Sequence, residues 1–204
     1  MYHFRSDDLT PVERYKLLSG SVIPRPIAWV MTKDIETLNL APISFFQVAS
    51  GLMPWLTLSV GYRNGKRKDT ADNILTHEEA VVHLVDEDLV KQMNATAASL
   101  PHDQSELDLI NLPLVPSQTV EVPGLKAAKI RFETKLYDYK LLKDPTGQPM
   151  SDFFFLEVTD MYFDESVLDP DKKYVDYHAF NPVARLAGPN YAMLGNEFEL
   201  RRPL

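Results

Sequence analysis

The sequence predicts a mainly β protein, an antiparallel β-barrel with few helices. Its apolar runs are short and several alternate with polar residues, which suits strands better than helices. These runs do not alternate regularly with helical patterns, so a parallel doubly wound sheet is disfavoured and a closed antiparallel barrel favoured. Neither G-x-G-x-x-G nor G-x-x-x-x-G-K-[ST] occurs, so any nucleotide would bind without a Rossmann fingerprint or a P-loop.

Thr10-Pro-Val-Glu13 is a capping-box pattern with proline at the first helical position, and it predicts a helix to about Leu18 that stops at Gly20. Ile27–Thr32, Trp55–Gly61 and Ala80–Val85 read as strands. In the second, Leu56, Leu58 and Val60 share one face while Thr57 and Ser59 share the other; the third is almost continuously apolar and reads as central. Asp86 can cap a helix over Glu87–Ser99, with Leu89, Val90, Met93 and Ala97 on one stripe. A helical turn around Ser105–Ile110 follows, and Pro113, Pro116 and Pro123 mark an irregular crossing. Ala127–Leu142 and Phe153–Phe163 read as long strands joined by the turn Asp144-Pro-Thr-Gly147. From Asp169 onward, Asp-Pro, Asn-Pro, Gly-Pro and Arg-Pro pairs predict an extended tail. The 204 residues are read as a single domain, with 169–204 as that C-terminal tail.

Hydrophobic content of 45% and charged content of 25% are ordinary for a globular protein. The net charge of −8 argues against nucleic acid and anionic membrane as partners, since both require a basic face. It leaves room for a local basic pocket, for which Arg63, Lys66, Arg67 and Lys68 are candidates. The absence of cysteine excludes disulfides, thiol catalysis and cysteine-ligated metal clusters. Redox chemistry would therefore fall to a bound organic cofactor or a non-thiolate metal. His3, His77, His102 and His178 are scattered without metal-ligand spacing, so no metal site is assigned. The first eight residues are too polar for a signal peptide and no apolar run reaches membrane-spanning length, so a cytoplasmic location is expected.

Two segments carry the chemistry. Asn39-Leu-Ala-Pro-Ile-Ser-Phe-Phe46 sets small residues, a proline and a hydroxyl beside paired aromatics, which suits a flat aromatic ligand read by backbone groups. Lys68-Asp-Thr-Ala-Asp-Asn-Ile74 puts a lysine and a hydroxyl where a helix can begin. Free N–H groups and the helix dipole make such a start an anion site. A planar ring plus one phosphate suggests flavin mononucleotide (FMN). Each segment also has a plainer reading: a strand entering the core through a Pro42 kink, with Phe45 and Phe46 as packing residues, and an exposed loop with an N-cap. Asp69 opposes a phosphate if it faces inward, or caps the helix while Lys68 and Thr70 face the ligand. His83, in an apolar strand, reads as a satisfied core group. Ser44 lacks the G-x-S-x-G context of a nucleophile.

With these residues the chain resembles the flavin reductase-like family of FMN-binding split β-barrels, of the flavoredoxin and flavin-reductase-component type. The carriers are Pro24-Arg-Pro-Ile-Ala-Trp29, Asn39–Phe46, Lys68–Ile74, Ala80-Val-Val-His-Leu84, Met93-Asn94 and Pro182-Val-Ala-Arg-Leu-Ala-Gly-Pro-Asn-Tyr-Ala192, spread over nearly the whole chain. The resemblance implies antiparallel Greek-key strands and a homodimer with FMN across the barrel face near its interface. It also implies NADH or NADPH as co-substrate, transferring hydride to the flavin, and an oxygenase or other electron acceptor downstream. By the same resemblance Asn39, Leu40, Ala41, Pro42, Ser44 and Phe45 run along the ring. Ser59, Val60 and Gly61 with Lys68, Asp69 and Thr70 hold the ribityl chain and phosphate, and Arg185 and Tyr191 approach the flavin. Pro24, Arg25 and Pro26 border the same pocket. No acid or base is needed for hydride transfer, so no catalytic residue is assigned. Rival readings are a non-enzymatic FMN electron carrier and a related barrel that oxidises pyridoxine phosphate or binds haem. His83, Gln47 and Ala187 depart from the usual asparagine, asparagine and glycine, which bears on the nicotinamide side.

Overall fold

A computed structural model describes residues 1–203. Helix α1 (Pro11–Ser21) begins with the expected capping box: Thr10 Oγ1 accepts from Glu13 N–H, and the Glu13 carboxylate accepts from Thr10 N–H at 2.8 Å. The main sheet has seven strands: β1 (Ala28–Lys33), β2 (Leu38–Ile43), β3 (Phe46–Val48), β4 (Trp55–Gly61), β5 (Glu79–Leu84), β6 (Ile130–Lys143) and β7 (Pro149–Phe163). Their order is β2-β1-β5-β6-β7-β4-β3, and every neighbouring pair is antiparallel. The strands at the two ends of that order are consecutive in sequence, joined only by Ser44 and Phe45. The sheet therefore curls until its edges nearly meet, forming a split barrel. Helix α2 (Asp69–His77) plugs the barrel, burying Ala71 and Ile74 against Val30, Leu58 and Phe154.

Strand β1 is buried on both faces, which explains its unbroken apolar run. Ala28 and Val30 point into the barrel, while Trp29 and Met31 point outward into a second cluster with Leu40, Val81, Leu89 and Met93. That outer cluster limits the helix expected over 87–99. A 3-10 turn, Glu87–Leu89, leads into α3 (Val90–Ala95), which ends where the buried Thr96 hydroxyl donates to Met93 O and accepts Trp29 Nε1 at 2.8 Å. The pair gives the buried tryptophan N–H its partner. Pro42 sits on β2 because β2 is an edge strand, where a missing N–H costs no ladder bond. The tail is less extended than its prolines predict. Ala184–Arg185 pairs with Arg25–Pro26 and with Tyr191–Ala192, and Phe180 and Val183 are buried.

His83 lies fully buried on β5. Its Nδ1 donates to Trp29 O at 2.9 Å and its Nε2 accepts from Leu125 N–H at 2.9 Å, which requires the neutral ring. Burial pushes its pKa down to about 4, opposed by the Trp29 carbonyl. The unfolded chain protonates this ring near 6.5, so the stabilisation is complete above that pH and is lost as pH falls toward 4. We expect His83→Gln to remove on the order of 3 kcal/mol of acid sensitivity between pH 7 and 4, read as the difference in urea stability between parent and variant. Parallel stability–pH curves would contradict this reading.

Candidate functional site

The barrel opens where Ser44 and Phe45 bridge its two edges, and a groove starts there. Ser59 N–H donates to Phe45 O at 2.9 Å, fixing this link against β4. The groove runs along the edge of β2 toward the start of α2, lined by Tyr15, Ala41, Pro42, Ile43, Ser44, Phe45, Ser59, Val60, Gly61, Lys68 and Thr70. Strand alternation decides what each residue offers. Leu58 and Val60 bury their side chains, so Val60 presents backbone alone, while Ser59 and Gly61 are on the groove side. A Cβ on Gly61 would meet no atom within 4 Å, so the missing side chain leaves open space there. Leu40 is likewise buried in the outer cluster, and its N–H is taken by the Glu106 carboxylate at 3.0 Å.

The α2 end of the groove gathers donors that can take an anion. Among the described residues no hydrogen bond engages the N–H of Asp69 or Thr70, and the N-cap residue Lys68 supplies no side-chain cap. Thr70 is buried, and its Oγ1 accepts from Asn39 Nδ2 at 2.9 Å, which leaves the hydroxyl proton to donate. Asn39 also reaches Thr32 Oγ1 at 3.3 Å, and Asn73 donates to the same oxygen at 3.1 Å, so a buried polar cluster steadies the helix start. The Lys68 ammonium has no carboxylate within ion-pair distance among the described residues. Desolvation at the groove wall, then the neighbouring Arg63, push its pKa down, a state that an arriving anion reverses.

Asp69, the residue that argued against a phosphate, neither caps the helix nor stands alone. Its carboxylate is 2.8 Å from His102 Nδ1, while His102 Nε2 is 3.2 Å from Asp34. The hydrogen bond and charge of Asp69 raise the His102 pKa, which favours the charged ring that would offset the acid. Glu106 also faces this end. Burial pushes its pKa up, against the Leu40 N–H.

Of the four expected basic residues, Arg67 is diverted. Its Nε and Nη2 grip Asp152 at 2.8 and 3.2 Å, and its Nη1 reaches Asp72 at 3.3 Å. Arg63 and Lys68 line the anion end; Lys66 does not. Sequence reasoning missed the 96–100 segment and Glu106 as lining residues, and nothing local in the sequence signals their approach. At the opposite end a recess shares Tyr15, Pro42 and Ser44 with the groove and brings in Arg25, Arg185 and Tyr191. Arg185 donates to Tyr191 Oη and to Gly188 O, both at 2.5 Å, and lies over the Tyr191 ring. His83, Gln47 and Ala187 line neither the groove nor the recess.

The residues thus offer a groove with amides, a hydroxyl and a lysine at one end, bare backbone in the middle, and a partly exposed aromatic with arginines at the other. That arrangement fits a phosphate joined to a flat ring. The flavin reductase-like domain family matches residues 19–180. The chain is 44% identical over its full length, and that of its relative, to the uncharacterized protein YwrF of Bacillus subtilis (strain 168). It is similar in structure to nitrilotriacetate monooxygenase component B from Bacillus cereus, with 38% identity, a TM-score of 0.94 and 98% of each chain covered. It is also similar to the 2-nitrobenzoate 2-nitroreductase NbaA of Pseudomonas fluorescens, with 33% identity, a TM-score of 0.88 and coverage of 99% and 96%.

Proposed function

Because the chain belongs to the flavin reductase-like family, which ties it to flavin-related redox chemistry, we propose that its groove binds FMN and that it is an NAD(P)H-dependent flavin reductase. The observation that carries the FMN assignment is the Lys68 ammonium, unpaired among the described residues, beside the open Asp69 and Thr70 amides, a site for one phosphate at the end of the groove. The Thr70 hydroxyl would donate to the same phosphate. Ser59 and the bare Gly61 edge would flank the ribityl chain, and Ala41 to Phe45 would border the ring. The flavin, when bound, supplies the two-electron chemistry. The chain's own residues bind, orient and set charge; no side chain has to move a proton to a reacting carbon.

Monooxygenase component B as a structural neighbour supports delivery of reduced flavin to an oxygenase. Steady-state NADH and NADPH oxidation with excess free FMN tests the reductase reading. Turnover that rises with free FMN supports it. A flavin-loaded protein with no turnover would instead make this a non-enzymatic electron carrier.

We further propose a homodimer. Tyr174, Tyr177, Met193, Leu194 and Phe198 remain exposed on the tail, and Val12, Leu18, Val22 and Ile23 on and after α1, apolar side chains that a partner subunit would cover. Light scattering at micromolar concentration is expected to give twice the chain mass, and a stable flavin-loaded monomer would contradict it.

A further inference from the structure

We propose that Arg25, with Arg185 beside it, makes the ring end of the groove favour reduced over oxidised flavin; the inference rests on the FMN reading above. Arg25 is only 8% exposed, yet no carboxylate lies within ion-pair distance of it among the described residues. Its Nη1 donates to Ser19 O and, at 2.8 Å, to Val22 O; its Nη2 donates to Leu186 O at 3.2 Å; its Nε reaches Ser44 Oγ at 3.4 Å. A guanidinium has five N–H donors, so one on Nη2 is left over.

A buried cation without a counter-ion is costly. Here the carbonyls at the C-terminal end of α1, the negative end of its dipole, stabilise it only in part. Neutral carbonyls satisfy its donors and leave its charge in place. Arg185, in the adjoining recess, is treated likewise: its partners are a phenol and a carbonyl. The recess therefore holds two positive charges and no acid among its lining residues.

A reduced flavin supplies the missing charge. At neutral pH the ring gains two electrons and one proton, and so carries one negative charge, whereas the oxidised ring is neutral. A fixed cation beside it binds the two redox states unequally, and that inequality is a shift in midpoint potential. A purely structural Arg25, tying α1, the tail and the Ser44 link together, would leave the potential where it is.

The test is an equilibrium redox titration of the FMN-loaded protein. Arg25→Gln is expected to cut the preference for reduced over oxidised flavin tenfold or more, about 30 mV in a two-electron midpoint. Arg25→Lys, which keeps the charge, should lie closer to the parent. If Arg25→Gln does not fold, Arg185→Gln carries the test with the same expected fall. Variants that bind FMN with the parent's midpoint overturn the inference alone. A parent protein that takes up no flavin overturns the FMN reading and this inference with it.

Discussion

Replacing Lys68 and Thr70 together by alanine is expected to weaken FMN binding by roughly a hundredfold or more while the chain stays folded. Two donors to a dianionic phosphate would be lost, each a charge-assisted bond of about 1.5–3 kcal/mol, and each 1.4 kcal/mol is about tenfold in affinity. The fold should tolerate the change. Among the described residues Lys68 makes no ion pair and no side-chain hydrogen bond, so its removal breaks neither. Thr70 accepts one hydrogen bond from Asn39, whose amide keeps Thr32 as a second partner, so the cost to stability should be about 1 kcal/mol. A flavin titration beside a melting curve reads both quantities. Unchanged affinity would place the phosphate elsewhere, and collapse of the melting transition would show that the polar cluster beneath α2 is more critical than argued.

The second large effect is on stability. Asp152 is fully buried on β7, and Arg67 is the residue that grips both its oxygens. The same pairing holds the loop that delivers Lys68 to the groove. Arg67→Met would strand the carboxylate inside the protein, and breaking such a buried pair costs about 3–5 kcal/mol. The low end is expected, about 3 kcal/mol, because the Arg67 side chain is 28% exposed and water can follow it out. Adding Asp152→Asn should recover part of the loss by removing the stranded charge. Urea unfolding measures both. An Arg67→Met protein within about 1 kcal/mol of the parent would show that the pair is not a supporting element.

The sequence is most informative where structure is local. The capping box of α1, the alternation of β4 and the continuous run of β5 each depend on neighbours along the chain, and each element forms close to its expected bounds. The start of α2 at Asp69 is legible for the same reason. What was hidden depends on distant partners. Four clustered basic residues look alike in sequence, but Asp152, far along the chain, removes Arg67 from the group. Asp69 looks hostile to an anion until His102 is brought against it. The α3 stripe continues in the sequence, yet the helix ends at Ala95, and only the fold shows Thr96 bonded to Trp29. Arg25 reads as one residue of a Pro-Arg-Pro motif, and only folding shows that it is buried with no counter-ion among the described residues.

Whether this groove holds FMN is read from the visible spectrum of the freshly purified protein together with the mass of the molecule it releases on denaturation. We expect a flavin spectrum and released FMN, or stoichiometric uptake of added FMN at micromolar concentration. A colourless protein that takes up no FMN, or one that releases only FAD, would contradict it.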